Sequence, residues 1–186
     1  MNFQSSAQAE IVERRMHVVQ GEFHVSREAD VVITTILGSC VAACIRDPFA
    51  GVGGMNHFLL PGERDDTADA MRYGAYAMEL LVNSLLQQGA DRRRLEAKLF
   101  GGGRIAKGFT DIGALNAAFA EDYLAREGIT YAGGSLGGDQ ARRIQYWPVS
   151  GRARQILLAP TESKVFATER RQPVAKVEDT GALELF

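Results

Sequence analysis

The chain has 186 residues, 46% hydrophobic and 24% charged, with 21 Lys plus Arg against 23 Asp plus Glu and a net charge of −2. That balance suits one domain over residues 1–186, its core at about 15–160, and offers no overall positive field for nucleic acid or an anionic membrane. Apolar runs are too short to insert in a bilayer, the first ten residues show no signal-peptide pattern, and two cysteines cannot build a disulfide framework; a reduced, cytoplasmic protein is expected.

Residues 1–12 are polar and read as a loose lead. Residues 16–25 alternate and read as one strand, and the β-branched run Val31–Leu37 as the next. Gly38-Ser39 interrupts the pattern, 40–46 resumes it, Asp47-Pro48-Phe49-Ala50-Gly51 is turn chemistry, and 53–60 returns as the other arm of a hairpin. Met71, Ala75, Met78, Val82 and Leu85 fall on one helical stripe, capped by Asp66 or Thr67 and ended at Gly89. Residues 97–100 form a short strand that runs into Gly101-Gly102-Gly103. Ile112, Leu115, Phe119 and Tyr123 predict a second helix, stopped by Gly128. Strands are expected at 129–132, 143–147 and 152–158, and a tail after Pro160. The expected class is α+β, with helices packed on one face of a mixed sheet.

The densest chemistry lies at Cys40 and His57. A hairpin folded about Pro48-Phe49 sets these two opposite each other, at thiol–imidazole distance; an inserted residue would send them to opposite faces. A thiol is mostly protonated at neutral pH, and a neighbouring imidazole takes its proton and can pass it to a leaving amine. Thr34, through hydroxyl or carbonyl, is the candidate that orients the ring. Gly38, Gly53 and Gly54 would let a substrate chain approach closely. Taken singly, a cysteine among Val and Ala is usually a small core residue, which is the reading for Cys44. His17 and His24 have no thiol near in sequence and read as structural or exposed.

Two other patterns carry less. Gly133-Gly134-Ser135-Leu136-Gly137 fits the serine-hydrolase elbow, but a strand follows where a helix is required and no histidine lies downstream. Gly101-Gly102-Gly103-Arg104-Ile105-Ala106 fits a dinucleotide fingerprint, yet no long helix starts directly after it. Arg142, Arg143, Arg152 and Arg154 flank a hairpin and read as a solvated face able to meet an acidic partner.

The chain resembles the chemoreceptor glutamine deamidase family, CheD. The likeness rests on T-T-I-L-G-S-C at 34–40, G-G-M-N-H-F-L-L-P at 53–61, R-Y-G at 72–74, K-L-F-G-G-G at 98–103, I-G-A-L-N at 112–116 and L-G-G…R-R at 136–143. Many members carry Asp where Ser135 stands and Gly where Ala141 stands. The resemblance implies a cysteine-hydrolase-like three-layer α/β/β sandwich and a triad of Cys40, His57 and Thr34. Ser39 and Cys40 backbone N–H groups then make the oxyanion hole beside Gly38, and Gly53, Gly54 and Asn56 line the substrate approach. It further implies glutamine side chains on the cytoplasmic helices of methyl-accepting chemoreceptors as substrate, with no cofactor and no metal. Some members also hydrolyse receptor methyl esters, and some bind the phosphatase CheC, a further candidate partner. The rivals are a receptor glutamate methyl-ester hydrolase that uses the same thiol and a non-catalytic module that docks on receptors or a phosphatase.

Overall fold

The computed structural model describes residues 12–60, 67–105 and 111–159. The expected loose lead before residue 12, the cap at Asp66 and the tail after Pro160 lie outside the described residues.

Among the described residues nine strands form two sheets. The first has order β1-β3-β8-β9, from Arg14–His17, Val31–Leu37, Arg142–Trp147 and Arg152–Leu157. The second has order β2-β5-β4-β6-β7, from Phe23–Ser26, Val52–Asn56, Val41–Asp47, Glu96–Gly101 and Thr130–Leu136. Each contains one parallel pair, β1 with β3 and β6 with β7, so both sheets are mixed. Helices α1 (Thr67–Gln87) and α2 (Ile112–Glu127) pack on the second sheet alone among these pairings. The result is an α+β, three-layer α/β/β sandwich.

Strand alternation builds its two cores. Val41, Ala43 and Ile45 of β4 face the helices, where they meet Met78, Leu81, Val82, Leu85, Phe119 and Leu124. Ala42 and Cys44 face the other sheet, against Ile33, Leu37, Ile144 and Tyr146. Asp111 caps α2 by accepting from the Ala114 N–H at 3.0 Å, and Gly128 ends it at φ 65°.

Two local expectations change, and the reading of Ser135 holds. The single strand at 16–25 is two strands in different sheets, because a tight turn with Gly21 at φ 88° lies between them. Ser135 sits in strand β7, with strand β8 after it, so no nucleophile elbow forms. Arg142 is not on a solvated face: it is 3% exposed. It pairs with Leu37 on the inner side of its sheet, and its guanidinium donates to the Ser135, Gly137 and Gln140 carbonyl oxygens.

Candidate active site at the seam of the two sheets

The chain leaves β3 in one sheet and enters β4 in the other through Gly38-Ser39-Cys40. This crossover is held from below. Gly102 N–H donates to the Cys40 carbonyl at 2.7 Å and Gly103 N–H to the Gly38 carbonyl at 2.8 Å. Gly101 has φ 107°, and a Cβ there would stand 2.1 Å from the Cys40 carbonyl oxygen. The glycine triplet is thus a bed for the Cys40 loop. Asn116, fully buried on α2, donates from Nδ2 to the Ser39 carbonyl at 3.0 Å and accepts the Leu60 N–H at 2.7 Å. Asn116 therefore links the segments that carry Cys40 and follow His57. Spacing alone carries no hint of that; a polar residue on an apolar helix stripe is the available signal.

The β4–β5 register decides where Cys40 and His57 point. Asp47 pairs with Val52 and Val41 with Phe58, so His57 falls opposite Ala42 rather than opposite Cys40. The turn is two residues longer than a hairpin folded about Pro48-Phe49. A shift of two keeps the face, so Cys40 and His57 remain on the side toward the first sheet, diagonal to one another. Cys40 is half-buried and packs at the edge of that inner core.

His57 is 7% exposed. Its Nδ1 lies 2.9 Å from Thr35 Oγ1, and that hydroxyl donates to the Val18 carbonyl at 2.7 Å. With its one proton spent on Val18, the hydroxyl accepts, so Nδ1 carries the imidazole hydrogen and Nε2 the lone pair. Among the described residues Nε2 is buried with no hydrogen-bond partner. Burial lowers the pKa of the ring to about 4, with the Val18 carbonyl pulling it back only in part. The ring is a neutral base at pH 7.

Several expected positions move. Thr34 is one residue out of phase with Thr35: it pairs with His17 and Gln145 and lies on the outer side of its sheet, away from His57. Asn56 points to the helix layer, where it accepts from Ala43 N–H at 3.0 Å and donates to the Ala77 carbonyl at 3.1 Å. It ties β4 to α1 and lines no approach. Gly53 and Gly54 serve packing, since a Cβ would stand 2.4 Å from the Pro148 carbonyl oxygen or 2.6 Å from that of His24. Gly38 lies two residues before Cys40, and a Cβ there would stand 3.2 Å from the Ile105 side chain. Ser39 is buried, its carbonyl held by Asn116. Cys44 is fully enclosed, and burial pushes its thiol pKa far up. Among the described residues no three His, Cys, Asp or Glu side chains gather as metal ligands.

Residues 59–156 match the family model described as CheD chemotactic sensory transduction. A relative from Caulobacter sp. (strain K31) is 56% identical over 174 residues, covering 92% of this chain and 93% of that one. One from Acidiphilium cryptum (strain JF-5) is 58% identical, covering 93% and 94%. One from Rhizobium meliloti (strain 1021) is 53% identical, covering 93% and 96%. The chain belongs to the CheD family. All three relatives bear the name probable chemoreceptor glutamine deamidase CheD. The matched segment of the family model begins just after His57, whereas the relatives align over nearly the whole chain.

Proposed function

We propose that this chain is a cysteine-dependent protein-glutamine glutaminase, acting in the cytoplasm on glutamine side chains of chemoreceptor helices. The names of the CheD relatives support the substrate. One structural observation supports the chemistry: Thr35 pins the His57 Nδ1 hydrogen and leaves Nε2 as a buried, unpartnered acceptor on the face that carries Cys40. No helix among the described residues is long and apolar enough to cross a membrane.

The steps follow from that tautomer. Cys40 Sγ attacks the carboxamide carbon while His57 Nε2 takes the thiol proton. The carbonyl oxygen gains negative charge beside the Ser39–Cys40 backbone, where one N–H donor is typically worth about 3 kcal/mol. The imidazolium returns its proton to the departing nitrogen, and ammonia leaves a γ-glutamyl thioester. His57 then draws a proton from water, hydroxide cleaves the thioester, and the thiol is restored. Each glutamate formed adds a negative charge to a receptor helix, which repels like charges about a turn away and shifts a two-state signalling balance. A CheC-type phosphatase is a further candidate partner.

The test is co-expression with a chemoreceptor cytoplasmic domain and peptide mass spectrometry. The wild-type chain should convert particular glutamines to glutamate and release ammonia. Folded Cys40→Ala and His57→Gln variants should leave them unconverted. Conversion by Cys40→Ala would remove the thiol from the mechanism.

A further inference from the structure

Gln20 plays no part in the steps above, yet it touches the thiol. Cys40 Sγ donates to Gln20 Oε1 at 3.7 Å. Gln20 is exposed and His57 buried, so the thiol has a base on its inner side and a carboxamide on its outer side. The turn that carries Gln20 is anchored on His57 itself. Gly21 N–H donates to the His57 carbonyl at 2.7 Å, and His57 N–H donates to the Glu22 carbonyl at 3.0 Å. Glu22 N–H donates to the Val19 carbonyl at 3.0 Å, which closes the turn. The backbone of His57 is therefore fixed relative to the turn that carries Gln20.

A carboxamide oxygen can only accept. At rest it accepts from the thiol. Once that proton passes to His57, the oxygen is left facing the reaction centre and needs another donor. A substrate carboxamide brings an NH2 group to this place; a methyl ester brings an OCH3 group, which donates nothing. We propose that Gln20 is a specificity-determining residue that selects a carboxamide over a methyl ester at Cys40. The inference rests on the deamidase reading and deepens it. Loss of one neutral hydrogen bond in a partly solvated position corresponds to a selectivity change of about tenfold.

The experiment uses the full chain and one receptor cytoplasmic domain in two forms, with glutamine or with glutamate methyl ester at the modified positions. Ammonia and methanol release give kcat/KM for each form, for the wild type, Gln20→Leu and Gln20→Glu. Gln20→Leu should lower the amide-to-ester ratio about tenfold, because only the amide loses a partner. Gln20→Glu retains an acceptor, so it should be slower on both forms with the ratio kept. Equal loss on both forms with Gln20→Leu would overturn the inference and assign the carboxamide to the carbonyl oxygen instead. An unchanged ratio would overturn it as well. If the wild type converts neither form, the deamidase reading itself fails and takes this inference with it; if it converts glutamine while the ratio stays fixed, only this inference fails.

Discussion

Thr35 Oγ1 stands between two partners, and the order of its bonds sets the tautomer of His57. Its hydrogen goes to the Val18 carbonyl at 2.7 Å, which leaves only lone pairs for His57 Nδ1 at 2.9 Å. Replace the hydroxyl by a methyl group and Nδ1 loses its acceptor. The ring is then free to place its hydrogen on Nε2, the wrong nitrogen for taking the thiol proton. Thr35→Val should therefore lower kcat at least about tenfold, short of the loss of about 10²–10⁴ expected when the base itself is removed. KM should move little, since Thr35 is 5% exposed and reaches the substrate only through His57. Thr34→Val, on the outer side of the same strand, should stay near the wild-type rate. Steady-state ammonia release from the two variants checks the assignment, and the opposite order of effects would return the orienting role to Thr34.

Adjacent threonines in a strand differ only in parity, and nothing in T-T-I-L-G-S-C states which one faces inward. The shared face of Cys40 and His57 was legible for a related reason. Cys40 and His57 needed only the same face, and a turn longer by two residues preserves it. Gly53, Gly54 and Asn56 were misplaced because proximity to His57 along a strand is not proximity to its face. Asn56 is the next residue and points to the opposite layer. The burial of Arg142 is not legible, because its partners are carbonyl oxygens of a nearby loop, which carry no sequence signature.

At the scale of elements, the hairpin turn fixes this register and Asp47 fixes the turn. Its carboxylate is fully buried and accepts from the Phe49 N–H at 2.9 Å and the Ala50 N–H at 3.0 Å. It also accepts from the Asp91 N–H at 2.8 Å and the Arg94 guanidinium at 2.7 Å. Burial alone would raise its pKa, but the Arg94 guanidinium and the three backbone N–H groups hold the carboxyl well below the usual carboxylate range. Asp47→Ala strips every one of these donors of its acceptor at once, and losing several hydrogen bonds to one buried carboxylate should destabilise by about 2 kcal/mol or more. Asp47→Asn keeps one oxygen for the turn and should lose less. Urea unfolding of both variants measures the difference. A loss under about 1 kcal/mol for Asp47→Ala would show that Pro48 and Gly51 hold the turn without it.

The whole molecule places its one buried imidazole at the seam of two sheets, and this ties stability to pH. Unfolded, His57 has an ordinary pKa of 6.5; folded, burial lowers it to about 4. Above pH 6.5 the ring is neutral in both states and contributes no pH dependence. Between 6.5 and about 4 the unfolded chain binds the proton and the folded chain refuses it, so the fold loses stability as pH falls. Below about 4 both states are charged at this position and the loss levels off. The shift corresponds to about 3 kcal/mol across the window. The Asp47 carboxylate acts lower: its stabilisation is intact above the ordinary carboxylate pKa and is lost as pH falls through its lowered folded value. The two effects therefore separate on the pH axis. His57→Gln removes the upper one while leaving the lower. Urea unfolding at a series of pH values from 7.5 to 4 should show the wild type falling steadily toward the variant, by about 3 kcal/mol relative to their difference at neutral pH. Parallel curves over that range would mean that water reaches the folded ring and protonates it normally, so that burial does not hold its pKa down.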